Sequence, residues 1–361
     1  MDNQTNQSEF PLLSVIIRAY NIEKELLDRC VSSAVHQIYN NIEIILINNA
    51  SKNDTGIYCD EWLQKDSRIR VIHSKKKLGL LNSMKYATGD YIHFLDHDDW
   101  IDPEMYSKMM SAMISTNSDI ARCEFCFAYP DGEIKHRNIT HHTDSFEIIG
   151  REEAVLLLLE DKKWEAFIWQ NIFKNRLWDH YVTPREKYFG DLASTHTLFH
   201  QATQIVYLHD IFYYYYQRHG NVYNPQNIQR RKYLLYRHGN AVYERYLFVK
   251  QHPEYNSILQ YLKNDTIKRN ILSLRDMIDY LQVFKDNDYE EQVERLKQFS
   301  LSLRDGKFFF YFYLDLLILK IFPNRYKPFY KLFYRSFDRF IKALRNTLFY
   351  QFIKRLYYGV K

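Results

Sequence analysis

The chain has 361 residues, 46% of them hydrophobic and 26% charged, which gives room for one large globular domain and a smaller appendage. Its aromatic share of 17%, with 31 Tyr and 24 Phe, points to aromatic-rich packing or an interfacial surface. From Lys307 onward twelve Lys and Arg stand against Asp315 and Asp338, so this tail carries +10 within a chain of net charge +5 and the remainder is acidic; that asymmetry excludes a general nucleic-acid-binding surface and leaves one basic face.

In chain order, Leu12 to Ile17 is a short apolar run of the buried parallel-strand type, ending at Arg18-Ala19-Tyr20-Asn21. A helical pattern over 23–37 follows, then a strand over Ile42 to Ile47 that ends at Asn48-Asn49-Ala50-Ser51. The pattern predicts a helix over 54–65, a strand over 69–72, a helix over 79–87 and a strand over 91–95. Strands and helices alternating at this pace imply βαβ units and a mostly parallel sheet. Farther on, helices are expected over 151–160 and 192–201 and a strand over 205–208, and beyond about 225 the pattern is all helical. Cys123 and Cys126 have CxxC spacing without a second pair, which reads as buried strand thiols; the four cysteines and the lack of a signal-peptide pattern fit a reducing cytoplasm.

The strand Tyr91 to Leu95 empties into Asp96, Asp98 and Asp99. Ligands of open α/β sheets bind beyond the carboxyl ends of the strands. Three acids crowded there repel one another unless a cation neutralises them, and hard divalent ions prefer oxygen ligands. A metal that also holds a diphosphate is the economical account, with Asp98, Asp96 and Asp99 as candidate ligands of Mn²⁺ or Mg²⁺. Helix capping explains Asp102, followed by Pro103 at a first helical position, but not the earlier triplet.

The segments Ser14 to Asn21, Glu43 to Ser51 and Tyr86 to Pro103 together resemble the family 2 glycosyltransferases of the GT-A fold. A weaker echo runs through Ile168 to Lys174 and Phe189-Gly190-Asp191 and closes at Tyr213 to Arg218. The resemblance implies inverting, metal-assisted sugar transfer from a nucleotide-diphosphate donor. It implies Asp96 near the ribose, Asp98 at the metal with Asp99 in support, Asp191 as general base and Tyr20 near the nucleotide base. Asn21, Asn48, Asn49, Lys77 and Arg218 join Tyr20 and Asp96 as candidate nucleotide-sugar contacts. Two departures stand out. Asn48 and Asn49 occupy places where the family commonly shows aspartates, and asparagine can donate as well as accept. The segment Lys75 to Ser83 is shortened and lacks an arginine, so its lysines are candidate substitutes toward the diphosphate.

Residues 308–322 are strongly apolar but too short to span a bilayer. From Phe333 to Leu356 aromatic and aliphatic residues recur at three- and four-residue steps with Lys and Arg opposite, the pattern of a helix lying in an anionic membrane interface. The expected organisation is a GT-A-type α/β catalytic domain over 1–220, a helical extension over 221–305 and a basic amphipathic tail over 306–361. The expected activity is transfer from a UDP-sugar or related donor to a saccharide acceptor, lipid-linked, in bacterial surface polysaccharide or lipooligosaccharide synthesis at the cytoplasmic face of the membrane. A non-catalytic glycosyltransferase-like binding protein is the alternative. A haloacid-dehalogenase-type phosphotransferase would want Thr or Val where Trp100 stands.

Overall fold

A computed structural model of the protein describes residues 10–136, 146–186, 188–218, 227–280, 284–285, 287–299 and 310–334. The chain divides into two compact units, Met1–Asn221 and Val222–Lys361.

The first unit opens with β1 (Leu13–Ala19), α1 (Lys24–Val35), β2 (Ile42–Asn49), α2 (Thr55–Leu63), β3 (Ile69–Ser74), α3 (Leu80–Met84) and β4 (Tyr91–Leu95). β1, β2 and β4 are buried on both faces, which is why they read as unbroken apolar runs instead of alternating ones. They pair in parallel in the order β3-β2-β1-β4. The register sets Ala19 beside Asn48, Asn48 beside His73, and Ile17 beside Leu95, so these strands all end on one rim. Gly89 turns the chain into β4 where a Cβ would come within 2.6 Å of the Leu12 carbonyl oxygen, and its N–H donates to Ser14 Oγ.

β5 (Trp100–Ile101), α4 (Met105–Thr116), β6 (Ile120–Ala128), β7 (Ile134–His136), β8 (Phe146–Gly150), α5 (Arg151–Glu160), β9 (Asn171–Lys174), α6 (Gly190–Gln201) and β10 (Gln204–Tyr216) complete the unit. β9 runs antiparallel between β4 and β6, and β10 lies parallel to β6. The far end of β10 turns back on the acidic loop, pairing antiparallel with β5 through Tyr213 beside Ile101 and Tyr214 beside Trp100. This is a mixed α/β sheet with flanking helices. The pairing delays α4: Asp102 forms a turn, its Oδ1 accepting from the Glu104 N–H, and the helix begins at Met105 instead of Pro103. Cys123 and Cys126 are buried free thiols on β6.

The second unit contains α7 (Ile228–Gln251), α8 (Asn256–Asp279), α9 (Asp288–Lys297), α10 (Phe310–Ile321) and α11 (Tyr326–Phe329). Asn227 caps α7 by accepting from the Gln229 and Arg230 N–H groups. Phe312, Leu316 and Leu319 of α10 share a core with Ile271, Leu274, Val293 and Leu296. Of the apolar run at 308–322, Phe312, Leu316 and Leu319 are therefore buried in protein, while Ile321 and Phe322 at its end are exposed. Within it Asp315 is fully buried, 2.5 Å from Arg275 Nη2 and accepting from Tyr326 Oη at 2.7 Å. The amphipathic stretch beyond residue 334 lies outside the described residues.

Removing one partner of a buried ion pair leaves the other charge uncompensated. Asp315→Ala is therefore expected to destabilise the second unit by roughly 3–5 kcal/mol, read as a lower urea midpoint for its unfolding transition. Asp315→Asn, which still accepts from Tyr326, should lose less.

Candidate active site

β4 is buried throughout and delivers the acids to the rim from the middle of the sheet. Asp99, fully buried, accepts from Tyr213 Oη at 2.7 Å on one oxygen and from the Tyr216 N–H at 2.7 Å on the other. Both carboxylate oxygens are thus occupied by β10. Asp99, a candidate metal ligand, anchors the acidic loop through these bonds. The Tyr213 hydroxyl also accepts from the Asp96 N–H at 3.3 Å. From the opposite side Arg29 of α1 stacks over Trp100 at 3.8 Å and Tyr216 at 4.3 Å, and donates to the Asp98 carbonyl at 3.0 Å.

The Asp96 and Asp98 side chains lie among charged neighbours. Burial, and then the neighbouring Asp98 charge, raises the Asp96 carboxyl to about 7. Asp98 Oδ2 lies 2.8 Å from Arg218 Nε, and Arg218 also reaches Glu23 at 3.8 Å. Among the described residues no three His, Cys, Asp or Glu side chains converge into a ready-made metal cage.

The rims of β1 and β2 carry the remaining candidates. Lys77 Nζ sits 3.4 Å from the centroid of the Tyr20 ring, so these two are brought together. Asn21, at φ 47°, donates its N–H to Ser51 Oγ and accepts from the Lys52 N–H at 2.8 Å, lacing the loops after β1 and β2. Asn48 accepts from the Ser51 N–H at 3.2 Å and lies 3.2 Å from His73 Nδ1. Asn49 is 8% exposed and clamps Leu78 with its amide, Oδ1 accepting from the N–H at 2.6 Å and Nδ2 donating to the carbonyl at 3.3 Å. Asn49, a candidate nucleotide contact, thereby holds the loop that carries Lys77.

Asp191 lies in the first turn of α6, and its Oδ2 accepts from the Ile168 N–H at 3.3 Å. It does not cap the helix; Phe189 occupies the N-cap position. Burial pushes its carboxyl above the ordinary range, against the opposing pull of the Ile168 N–H and the Arg18 charge. Asp96 feels both Asp191 and Arg18, so the acid at the end of β4 and the acid on α6 share one electrostatic environment with Arg18 between the signs. Arg18 and Arg29 are the site residues that sequence reasoning missed. For Arg18 a signal existed, a lone charge at the end of an otherwise apolar strand. For Arg29 none did, because its partners Trp100 and Tyr216 are distant in sequence.

The family described as Glycosyl transferase family 2 matches residues 14–176. GlyG, a glycosyltransferase of Streptococcus pneumoniae serotype 4, is 28% identical over 220 residues, which are 58% of this chain and 72% of GlyG. EpsH of Bacillus subtilis is 24% identical over 314 residues, covering 83% of this chain and 85% of EpsH. Among solved structures, S. aureus TarS 1–349 in complex with UDP-GlcNAc superposes with a TM-score of 0.50 at 16% identity, covering 79% of this chain and 91% of that one. At that identity the likeness speaks to fold alone, and it is the fold that β1 to β4 and the acid-bearing rim already describe. Over residues 14–176 of its first unit the chain thus matches the family 2 glycosyltransferases, and the relatives it resembles are glycosyltransferases.

Proposed function

We propose that the first unit transfers a sugar from a nucleotide-diphosphate donor, a UDP-sugar favoured, to a saccharide acceptor with inversion, in bacterial surface polysaccharide or lipooligosaccharide synthesis. The observation that carries this is the pairing of two loop carboxylates, Asp96 and Asp98, with a separate buried carboxylate, Asp191, across a site flanked by Arg18 and Arg218. TarS 1–349, of similar fold, binds UDP-GlcNAc, which is in keeping with a UDP-sugar.

Asp96 and Asp98 fit a divalent cation. Two adjacent carboxylates, one raised to about 7 by burial and its neighbour, form an oxygen donor set whose own repulsion a cation relieves. They would hold Mn²⁺ or Mg²⁺ together with donor phosphate oxygens, and the ion would stabilise the charge developing on the departing diphosphate. Asp99, which accepts one hydrogen bond from β10 on each oxygen, supports that set from behind.

The chain's own residues do the rest. Tyr20 offers a face for the nucleotide base, and Asn21 and Asn48 shape the rim beside it. Lys77 and Arg218 supply cationic contacts to the diphosphate, Arg218 exchanging its bond to Asp98 for phosphate oxygens. Asp191 accepts the proton of the acceptor hydroxyl. Burial makes its carboxylate a stronger base than a free aspartate, while the Ile168 N–H and Arg18 favour the ionised form.

The tail over 306–361 is proposed to rest on the anionic cytoplasmic face of the membrane, bringing the enzyme to a lipid-linked acceptor. In its described part, Ile321 and Phe322 are 56% and 59% exposed within a segment that carries Lys320, Arg325, Lys327 and Lys331 and no acid.

Thermal stabilisation of the wild type by UDP should require Mn²⁺ or Mg²⁺ and be lost in Asp98→Ala; stabilisation that ignores both would sink the cation site. Asp191→Asn should keep nucleotide binding but lower transfer by about 10²–10⁴-fold, and a wild type that binds nucleotide without transferring to any acceptor would favour the non-catalytic alternative. Without divalent ions, Asp96 ionisation costs folding energy, because its folded pKa exceeds the unfolded one. Asp96→Asn should gain stability over wild type as pH rises from about 4 to about 7 and hold the gain above that, by at most about 4 kcal/mol; a difference flat in pH by chemical denaturation would contradict the raised carboxyl. Finally, Ile321→Asp with Phe322→Asp should reduce sedimentation of the full chain with phosphatidylglycerol vesicles, and equal sedimentation would count against this membrane contact.

A further inference from the structure

The segment between α5 and β9 is held from behind by side chains, one carbonyl after another. Glu165 O accepts from Arg122 Nη2 at 2.9 Å, Ala166 O from Thr195 Oγ1 at 2.7 Å and Phe167 O from Asn171 Nδ2 at 2.8 Å. Asn171 Nδ2 also reaches Ile168 O at 3.3 Å, and Trp169 O faces His93 Nε2 at 2.9 Å. A carbonyl can only accept, so the His93 proton sits on Nε2 and its Nδ1 accepts from the Tyr106 hydroxyl, 2.9 Å away. Five successive carbonyls thus end on Arg122, Thr195, Asn171 and His93, all of them fully buried.

Asn171 is the joint of this cradle. Strand register sets it opposite Arg122. A guanidinium only donates, so the Asn171 oxygen takes the bond from Arg122 Nη1 at 3.3 Å, and its NH₂ end turns to the Phe167 and Ile168 carbonyls. The same guanidinium is fixed by Gln170 Oε1 at 2.8 Å and lies 4.7 Å from the centroid of the Trp164 ring. Buried donors and acceptors matched in this way resist a shift of the segment, because each lost bond leaves a polar group without water. What the segment presents in turn is the Ile168 N–H, which donates to Asp191 Oδ2 at 3.3 Å. Asp191 and Thr195 lie one turn apart on α6, so the helix docks on the segment at two points, at Ile168 and at Ala166.

We infer that Asn171, backed by Arg122, is a positioning residue for Asp191, setting the segment whose Ile168 N–H aims that carboxylate. The inference rests on the reading of Asp191 as the base. With Oδ2 held by the N–H, Oδ1 is the oxygen that takes the proton of the acceptor hydroxyl. Asn171 acts only through the segment.

The test is the titration of Asp191 in the full chain, without divalent ion or nucleotide, followed by NMR of its carboxyl carbon and assigned by the loss of that signal in Asp191→Asn. Asn171→Leu and Thr195→Val, both neutral and close to the native shape, loosen the cradle at two different points. Arg18 and Asp96, the charges that bear on Asp191, are the same in both variants. Donation by an N–H favours the ionised carboxyl, so a displaced Ile168 should move the midpoint upward. The expected rise is about one pH unit in Asn171→Leu and less in Thr195→Val. A merely structural Asn171 would lower the urea midpoint of the first unit and leave the Asp191 titration where it was, and that result would overturn the inference. Should Asn171→Leu not fold, an unmoved midpoint in Thr195→Val has the same force. Sugar transfer that survives Asp191→Asn would overturn the base reading instead, whatever the titration shows.

Discussion

The site depends on one buried carboxylate. Taking Asp99 out of water is tolerable only because an O–H and an N–H from β10 meet its two oxygens. That requirement ties the loop after β4 to a strand more than a hundred residues away, and the Tyr213 hydroxyl extends the tie to the Asp96 N–H. The tyrosine run then divides by the two-residue period of a strand. Tyr213 and Tyr215 stack toward Trp169, while Tyr214 and Tyr216 face Trp100, with Arg29 over Trp100 and Tyr216. Aromatic content that looks like excess in the composition is, at this place, the frame in which two carboxylates are held.

Once the loop is fixed, the electrostatics follow from how little water reaches it. Asp96 and Asp191 are each pushed up by burial, and both are opposed by Arg18. Arg218 neutralises Asp98 from the loop after β10. An acid set this crowded is costly by itself, and it makes chemical sense where a cation and a diphosphate complete the balance of charge. The scaffold therefore separates two duties among its acids. Asp99 gives rigidity, whereas Asp96 and Asp98 are the acids proposed to meet the cation.

Much of this was legible in the amino-acid order. The apolar runs of β1, β2 and β4 declare themselves because both faces are buried, and their polar ends mark the rim. What local pattern could not show was pairing across long separation. Nothing near Asp99 indicates that its oxygens belong to Tyr213 and Tyr216, so it reads like its neighbours Asp96 and Asp98. The early start expected for α4 has the same origin: Asp102-Pro103 carries proper capping chemistry, but β5 takes the two residues before it into the sheet. β10 was visible only as 205–208, because His209 and Asp210 interrupt the apolar run; its continuation to Tyr216 rests on aromatic packing that depends on the rest of the sheet.

The two departures from the family pattern turn out to be linked by hydrogen-bond chemistry. Holding both the N–H and the carbonyl of Leu78 requires a side chain that accepts at one end and donates at the other. An ionised aspartate can only accept, so it would leave the carbonyl without a partner. Asparagine at position 49 is therefore what this shortened loop demands, and the clamp on Leu78 is what sets the adjacent Lys77 over the Tyr20 ring. The carboxamide at the end of β2 and the cationic loop after β3 therefore act together: the amide fixes the loop backbone, and the loop brings a positive charge to the rim.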